Sequence, residues 1–505
     1  MASGIKGNII AWSGPTIFFR AAGIAMFICS LSSMSAHGEA VAAKTQAKEE
    51  SASTRQLEAA LRSHKIQRED LSLMVSTDVG ETVFELNADA KKIPASLTKI
   101  VTAAAALHFF APGHRFTTSL LAGQPIREGV LKGPLYLKGG GDPSFVSEDM
   151  WELVNELKRT ELSEIQGPII VDESRFDDER FDQSRDPERV DRAYDAPVGA
   201  MSFNWNSVNI FVRPGEKAGA PARVYLDPEN DFTVLQNQAT TVAADGKNTI
   251  DVQRQEVKEK GQIKNKLIVR GALSVNAAEV VKYKSITQPG LWAGANLRSF
   301  LAQRGIRVVS EAPEVRIGKV AEGATLLADV ESKDLSAIVA DMQKFSNNYV
   351  AEMLTKNLAA EFVRQPAQLG PGFQQVMNYL DVVGITRDRF YLQSPSGLSR
   401  KNRLTARDTV AVLNYSQKEF RIGPELLVAL PIASVDGTLK NRLKDPAAYG
   451  RIRAKTGMLD GAFGLAGFAG RPDGRRLTFA FIYNGPKDWF TVRSLFDDLA
   501  LALVK

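Results

Sequence analysis

Ser96-Leu97-Thr98-Lys99, leading into Ile100-Val101-Thr102-Ala103-Ala104-Ala105-Ala106-Leu107, is the stretch on which the reading of this chain turns. Pro94 suits the approach to a helix, and no Gly or Pro follows Ser96 until Pro112, so a long alanine-rich helix is expected. A serine at a helix start sits beside unpaired backbone N–H groups and the positive end of the dipole, and both favour negative charge developing nearby. Lys99 at i+3 returns to the same face, within reach of the hydroxyl. A serine and a lysine so placed can act as nucleophile and base. An ordinary surface helix with an N-cap serine and a solvated lysine reads the same way, so this stretch alone is no more than a candidate.

Two further elements follow it. Four segments fit S-x-N: Ser202-Phe203-Asn204, Ser207-Val208-Asn209, Ser274-Val275-Asn276 and Ser346-Asn347-Asn348. The first three sit in or beside β-like runs. Ser346 falls between helical stretches at 335–344 and 349–362, where a polar break can face a cleft, and is preferred. Near the C-terminus, Lys455-Thr456-Gly457 follows Arg451-Ile452-Arg453-Ala454 and precedes Met458-Leu459. A strand facing a cleft would present Lys455 and Thr456 to a carboxylate, with Gly457 admitting close approach of substrate backbone. Each element is weak alone. Together they offer a nucleophile, a base, a cation for an anionic substrate and backbone donors for an oxyanion.

At 505 residues the chain is too long for one compact core, so two or three domains are expected. Its 44% hydrophobic and 24% charged residues describe an ordinary folded protein. The net charge of +5 is mildly basic, with no long Lys/Arg run interleaved with aromatics, so nucleic acid is not expected as a partner. Lys6 and Arg20 precede an apolar stretch at 21–31 and an Ala36-His37-Gly38 cleavage pattern, which reads as an export signal over residues 1–38. The apolar core is short for a membrane span of ~20 residues. Cys29, the only cysteine, lies inside it after Ile28, where a lipoprotein signal wants a small residue. Residues 39–55 have no apolar periodicity and read as a flexible leader.

The mature body divides by texture. Residues 56–114 contain a helix-like start, strand-like stretches at 71–75 and 82–86, and the helix after Ser96. Residues 115–325 are punctuated by Gly, Pro and Asp turns between short β-like runs at 130–137, 169–172, 208–212, 224–226 and 266–269, which suggests β-rich inserted domains. Residues 326–505 turn helical, then close with strands at 463–469 and 477–483 and a terminal helix. One α+β catalytic domain interrupted by an insertion is the simplest architecture.

With these residues in view, the chain resembles a known family: the class C low-molecular-mass penicillin-binding proteins, D-alanyl-D-alanine carboxypeptidase/endopeptidases of the S13 peptidase type. Serine acyl-transferases of the penicillin-binding and β-lactamase kind carry S-x-x-K, S-x-N and K-T-G in this order. The resemblance extends to Gly139-Gly140-Gly141-Asp142-Pro143, Ala196-Pro197 with Asn204 and Asn209, Ser396-Gly397-Leu398-Ser399-Arg400, and Val435-Asp436-Gly437-Thr438-Leu439. The long spacing between Ser96 and Ser346 is the family's hallmark. The resemblance implies a penicillin-binding/β-lactamase-like transpeptidase fold and hydrolysis of D-Ala-D-Ala stem peptides or cross-links through an acyl-enzyme. It makes Ser96 the nucleophile, Lys99 its base, Ser346 the carrier of a proton to the leaving amine and Asn348 a positioning group. Lys455 and Thr456 would hold the substrate carboxylate, the N–H groups of Ser96 and Met458 would form the oxyanion hole, and Arg400 would touch the peptide. Peptidoglycan peptides and β-lactam antibiotics are the implied partners, in the periplasm or cell envelope, where peripheral membrane association is compatible with the composition.

Two departures stand out. The family usually has Ser or Thr after K-T-G, whose hydroxyl helps bind the carboxylate, where this chain has Met458. It also commonly reads Asp-Gly before Ser-Gly-Leu-Ser, where this chain has Ser394-Pro395. The rival readings are a β-lactamase-type hydrolase, usually shorter and without such an insertion, and a catalytically weak envelope scaffold, which only Met458 supports. A Ser-His-Asp hydrolase is disfavoured, since after the leader only His64, His108 and His114 remain and no Gly-x-Ser-x-Gly elbow occurs. No His, Cys and carboxylate cluster has metal-ligand spacing, so neither metal nor cofactor is implied.

Overall fold

The computed structural model describes residues 53–184, 191–259, 261–311 and 313–505. The export signal expected over 1–38, Cys29 and most of the leader lie outside the described residues. A compact unit spans Leu57–Lys505.

Its centre is a five-stranded antiparallel sheet built from both ends of the chain. The strands are β1 (Leu71–Thr77), β2 (Thr82–Leu86), β3 (Ile452–Leu459), β4 (Ala462–Gly470) and β5 (Arg476–Asn484), in the order β2-β1-β5-β4-β3. Period-two alternation sorts β5 between two cores. Leu477, Phe479, Phe481 and Tyr483 join Leu71, Leu73 and Val75 of β1 and the C-terminal helix, while Ala480 and Ile482 face the other way. That second face is covered by α1 (Thr98–Phe110) and its neighbours α2 (Leu335–Phe345), α3 (Asn348–Phe362) and α4 (Ala406–Lys418). Small residues allow the close approach: α1 is the alanine run, and β4 and β5 present Ala466 and Ala480 to it. The α+β class, with a central sheet built from both ends of the chain and helices packed on both faces, agrees with the sequence reading.

The region between Ser96 and Ser346 has its own core and several small sheets. Strand Thr117–Ala122 pairs with Leu135–Lys138 on one side and with Thr325–Glu331 on the other. The single β-run expected over 130–137 is two strands, Val130–Lys132 and Leu135–Lys138, belonging to different sheets. Gly133, at φ +132°, and Pro134 break it, since proline has no N–H to give a ladder. Two helices, Ser147–Lys158 and Pro289–Gln303, also occur where texture suggested only strands. In the first, Met150, Leu153, Val154 and Leu157 are buried at helical spacing.

Candidate active site

Ser96 lies in a 3₁₀ turn, Ala95–Leu97, that leads directly into α1. Ala95 before it has φ +47°, an unusual value for a non-glycine residue and one that clusters at functional sites. Lys99, one turn on, is completely buried. Its Nζ lies 3.1 Å from Ser96 Oγ, 2.6 Å from Asn348 Oδ1 and 2.5 Å from the Ser396 carbonyl oxygen. The side chain is therefore held on three sides with one contact aimed at the serine.

The S-x-N element is a junction between two helices. Ser346 ends α2 in the left-handed conformation at φ +56°, and the Asn347 side chain caps α3 by accepting from the Val350 N–H at 3.3 Å. Breaking the helix there lets Ser346 and Asn348 face the same cleft. Ser346 Oγ lies 2.7 Å from Lys455 Nζ. The other S-x-N serines do structural work: Ser202 donates to the Gly199 carbonyl and Ser274 to that of Ala244.

Lys455 comes from the edge strand β3 and is completely buried, its Nζ also donating to the Thr456 carbonyl at 2.8 Å. Burial, and then the charge of Lys99, hold the Lys455 ammonium pKa well below its ordinary value. The repulsion is mutual, so the two lysines disfavour carrying two protons together. Thr456 points to the opposite face of β3 and its hydroxyl meets that of Thr438 at 2.9 Å. Strand alternation puts Met458 on the face of Thr456, and its side chain is 60% exposed, so it is not a core residue. Arg400 Nη1 donates to the Asp460 carbonyl at 2.7 Å, beside the end of the same strand. Gly457 fits closely: a Cβ there would lie 2.8 Å from the Pro94 carbonyl oxygen.

The loop carrying Ser394-Pro395 is clamped to α1. Asn402 Oδ1 accepts from the Gln393 and Ser394 N–H groups, its Nδ2 donates to the Ser394 carbonyl, and Thr102 Oγ1 donates to the Pro395 carbonyl at 2.8 Å. These bonds use backbone atoms, which explains why the departure at Ser394-Pro395 is accommodated. Gly397, at φ +82°, is pressed against the backbone of Ala95 and Ser96.

Sequence reasoning gave no role to Asp195, Gln343 or Thr438. Asp195 Oδ1 accepts from Asn348 Nδ2 at 2.6 Å, and Gln343 Nε2 donates to the Lys99 carbonyl at 2.7 Å. Thr438 belongs to a segment that the resemblance singled out, whereas nothing local marks the other two.

The sequence model of the D-Ala-D-Ala carboxypeptidase 3 (S13) family matches residues 53–503. A D-alanyl-D-alanine carboxypeptidase of an Actinomadura species is 32% identical, the match covering 82% of this chain and 77% of the relative. The D-alanyl-D-alanine carboxypeptidase DacB of Haemophilus influenzae is 26% identical over 80% of this chain and 83% of its own. The crystal structure of penicillin binding protein 4 from Haemophilus influenzae shares the fold with a TM-score of 0.71 at 24% identity, covering 85% of this chain and 94% of the other.

Proposed function

The chain belongs to the D-Ala-D-Ala carboxypeptidase 3 (S13) family and is a serine peptidase, and from that premise we propose that Ser96 attacks the D-Ala-D-Ala bond of peptidoglycan peptides. The observation that carries the assignment is the convergence of Ser96 Oγ, Asn348 Oδ1 and the Ser396 carbonyl on one buried nitrogen, Lys99 Nζ. A surface helix with a solvated lysine would not have that arrangement.

In the proposed reaction a neutral Lys99 takes the Ser96 proton as Oγ adds to the scissile carbonyl. Charge develops on the carbonyl oxygen, which the N–H groups of Ser96 and Met458 stabilise; loss of one such donor costs ~10²–10³ in rate. The C–N bond then breaks as the leaving amine receives a proton through Ser346. Water, activated by Lys99, releases the product from the ester. Lys455 and Thr456, steadied by Thr438, receive the substrate carboxylate. That anion stabilises the proton on Lys455, and the resulting Lys455 cation disfavours a proton on Lys99, so binding itself prepares the base. A free D-alanine as leaving group makes the enzyme a carboxypeptidase, and the amine of a cross-linked neighbour makes it an endopeptidase. β-Lactams acylate the same serine.

The site works in the cell envelope after export, with residues 115–325 forming domains inserted into the catalytic one. Among the described residues no helix is long and apolar enough to cross a membrane. Labelling with a fluorescent penicillin followed by peptide mapping tests the reading. Label should fall on Ser96 and vanish in a folded Ser96→Ala protein; a Ser96→Ala protein that still forms the acyl-enzyme overturns it.

A further inference from the structure

We propose that Asp195, supplied by the region between the first two motifs, is a positioning residue that locks the orientation of Asn348 and sets the charge balance at Lys99. The proposal rests on the serine-acylation reading above.

The geometry is a buried relay: Lys99 Nζ donates to Asn348 Oδ1 at 2.6 Å, and Asn348 Nδ2 donates to Asp195 Oδ1 at 2.6 Å. Lys99, Asn348 and Asp195 are 0%, 4% and 0% exposed, so water does not compete for these bonds. An asparagine amide can present either its oxygen or its nitrogen to a neighbour. Facing an ammonium, only the oxygen serves. A neutral amine could also accept from the amide nitrogen, and a flipped Asn348 would then occupy the lone pair that must take the Ser96 proton. The Asp195 carboxylate accepts only, so a flip would set oxygen against oxygen. Asp195 thus keeps Asn348 Oδ1 on Lys99 in both protonation states and leaves the amine lone pair for Ser96.

Asp195 is itself well held. It ends the 3₁₀ turn Ala193–Asp195, and its N–H donates to the Arg192 carbonyl at 3.0 Å. Two residues on, the Pro197 carbonyl accepts from Asn206 Nδ2 at 2.8 Å, and Asn206 also donates to Ser202 Oγ.

The same anion acts electrostatically. Charged groups near Lys99 include Lys455 from β3 and Asp195 beyond Asn348, with Arg192 adjoining Asp195 on its own turn and the buried Glu352 one turn along α3 from Asn348. The Ser396 loop and Gln343 of α2 contribute neutral groups. Asp195 therefore opposes Lys455: one favours the proton on Lys99 and the other disfavours it.

The test is the pH dependence of the acylation rate by a fluorescent penicillin, measured on the whole protein and on Asp195→Asn, Asp195→Ser and Asp195→Ala. Asn and Ser keep an acceptor for Asn348 but lose the charge, so the acid limb should move to lower pH by on the order of one unit. Ala loses both, and its plateau rate should fall at least about tenfold, the effect of a 1.4 kcal/mol bond. Folding is checked by thermal unfolding. An acid limb unmoved in every folded variant overturns the proposal, and so does failure of all three to fold, which would make Asp195 a folding determinant. A wild-type protein not labelled at Ser96 would refute the underlying reading instead, and the two failures are distinct.

Discussion

Gly397→Ala isolates how closely the backbone at Ser96 is braced. A Cβ at Gly397 would lie 2.0 Å from the Ala95 carbonyl oxygen, 2.5 Å from its carbon and 3.1 Å from the Ser96 nitrogen. All three are backbone atoms, so no flexible side chain can yield. Relief to ordinary contact requires the turn bearing Ser96 to move by more than an ångström, and displacements of that size cost about 10²-fold in rate, equivalent to ~2.7 kcal/mol of barrier. The φ of +82° adds a conformational penalty of ~1–2 kcal/mol to stability. Gly384→Ala separates the two effects. Gly384 has φ +89° at the end of the helix Leu369–Val383 but nothing within 4 Å of its would-be Cβ. Both variants should lose stability by similar conformational strain, with Gly397→Ala losing more, and only Gly397→Ala should acylate slowly. Stopped-flow acylation by a fluorescent penicillin, with thermal unfolding in parallel, reads both. A Gly397→Ala enzyme acylating within about threefold of wild type would refute the reasoning.

Met458→Thr, on the exposed face it shares with Thr456, should add a hydroxyl to the carboxylate site and gain roughly 1.5–3 kcal/mol of selectivity for D-Ala-D-Ala peptides over their amides; an unchanged ratio of kcat/KM refutes it. Lys455 should make stability rise with pH. Its folded pKa lies well below 10.5, so between that value and 10.5 the unfolded chain binds more protons, and the folding penalty is relieved as pH climbs. Urea unfolding between neutral pH and about pH 10 should show a shallower rise in Lys455→Met; equal slopes refute the assignment. Mass spectrometry of the native protein should place its N-terminus near Glu39 to Val41, and an intact Met1 or a lipid on Cys29 would contradict export by a cleaved signal.

Much of this was legible because the relevant signals are local. Strand-like runs at 71–75 and 82–86, the alanine run after Ser96 and the polar break at Ser346-Asn347-Asn348 each carry their structure in adjacent residues. The split at Gly133-Pro134 and the helix Ser147–Lys158 were also written locally, but turn-rich surroundings masked them. Asp195 was not legible in any such way. Its role exists only because the fold brings the turn at Ala193 against α3, and no spacing rule links a carboxylate to an asparagine so far along the chain. The exposure of Met458 was likewise settled by strand phase, which depends on the register of β3 against β4.

The order of the central sheet has a consequence for how the enzyme comes into being. Strand β1, which precedes the nucleophile, pairs with β5, Leu71 lying opposite Tyr483. Nearly the whole polypeptide must be synthesised before that pairing can close, and contacts so distant in sequence make for slow folding. The elements that hold Ser96 and Lys455 are therefore completed together, only when the C-terminal strands are in place. Without β5, β1 and β4 have no strand between them, so the two ends of the chain that carry Ser96 and Lys455 are not joined in one sheet.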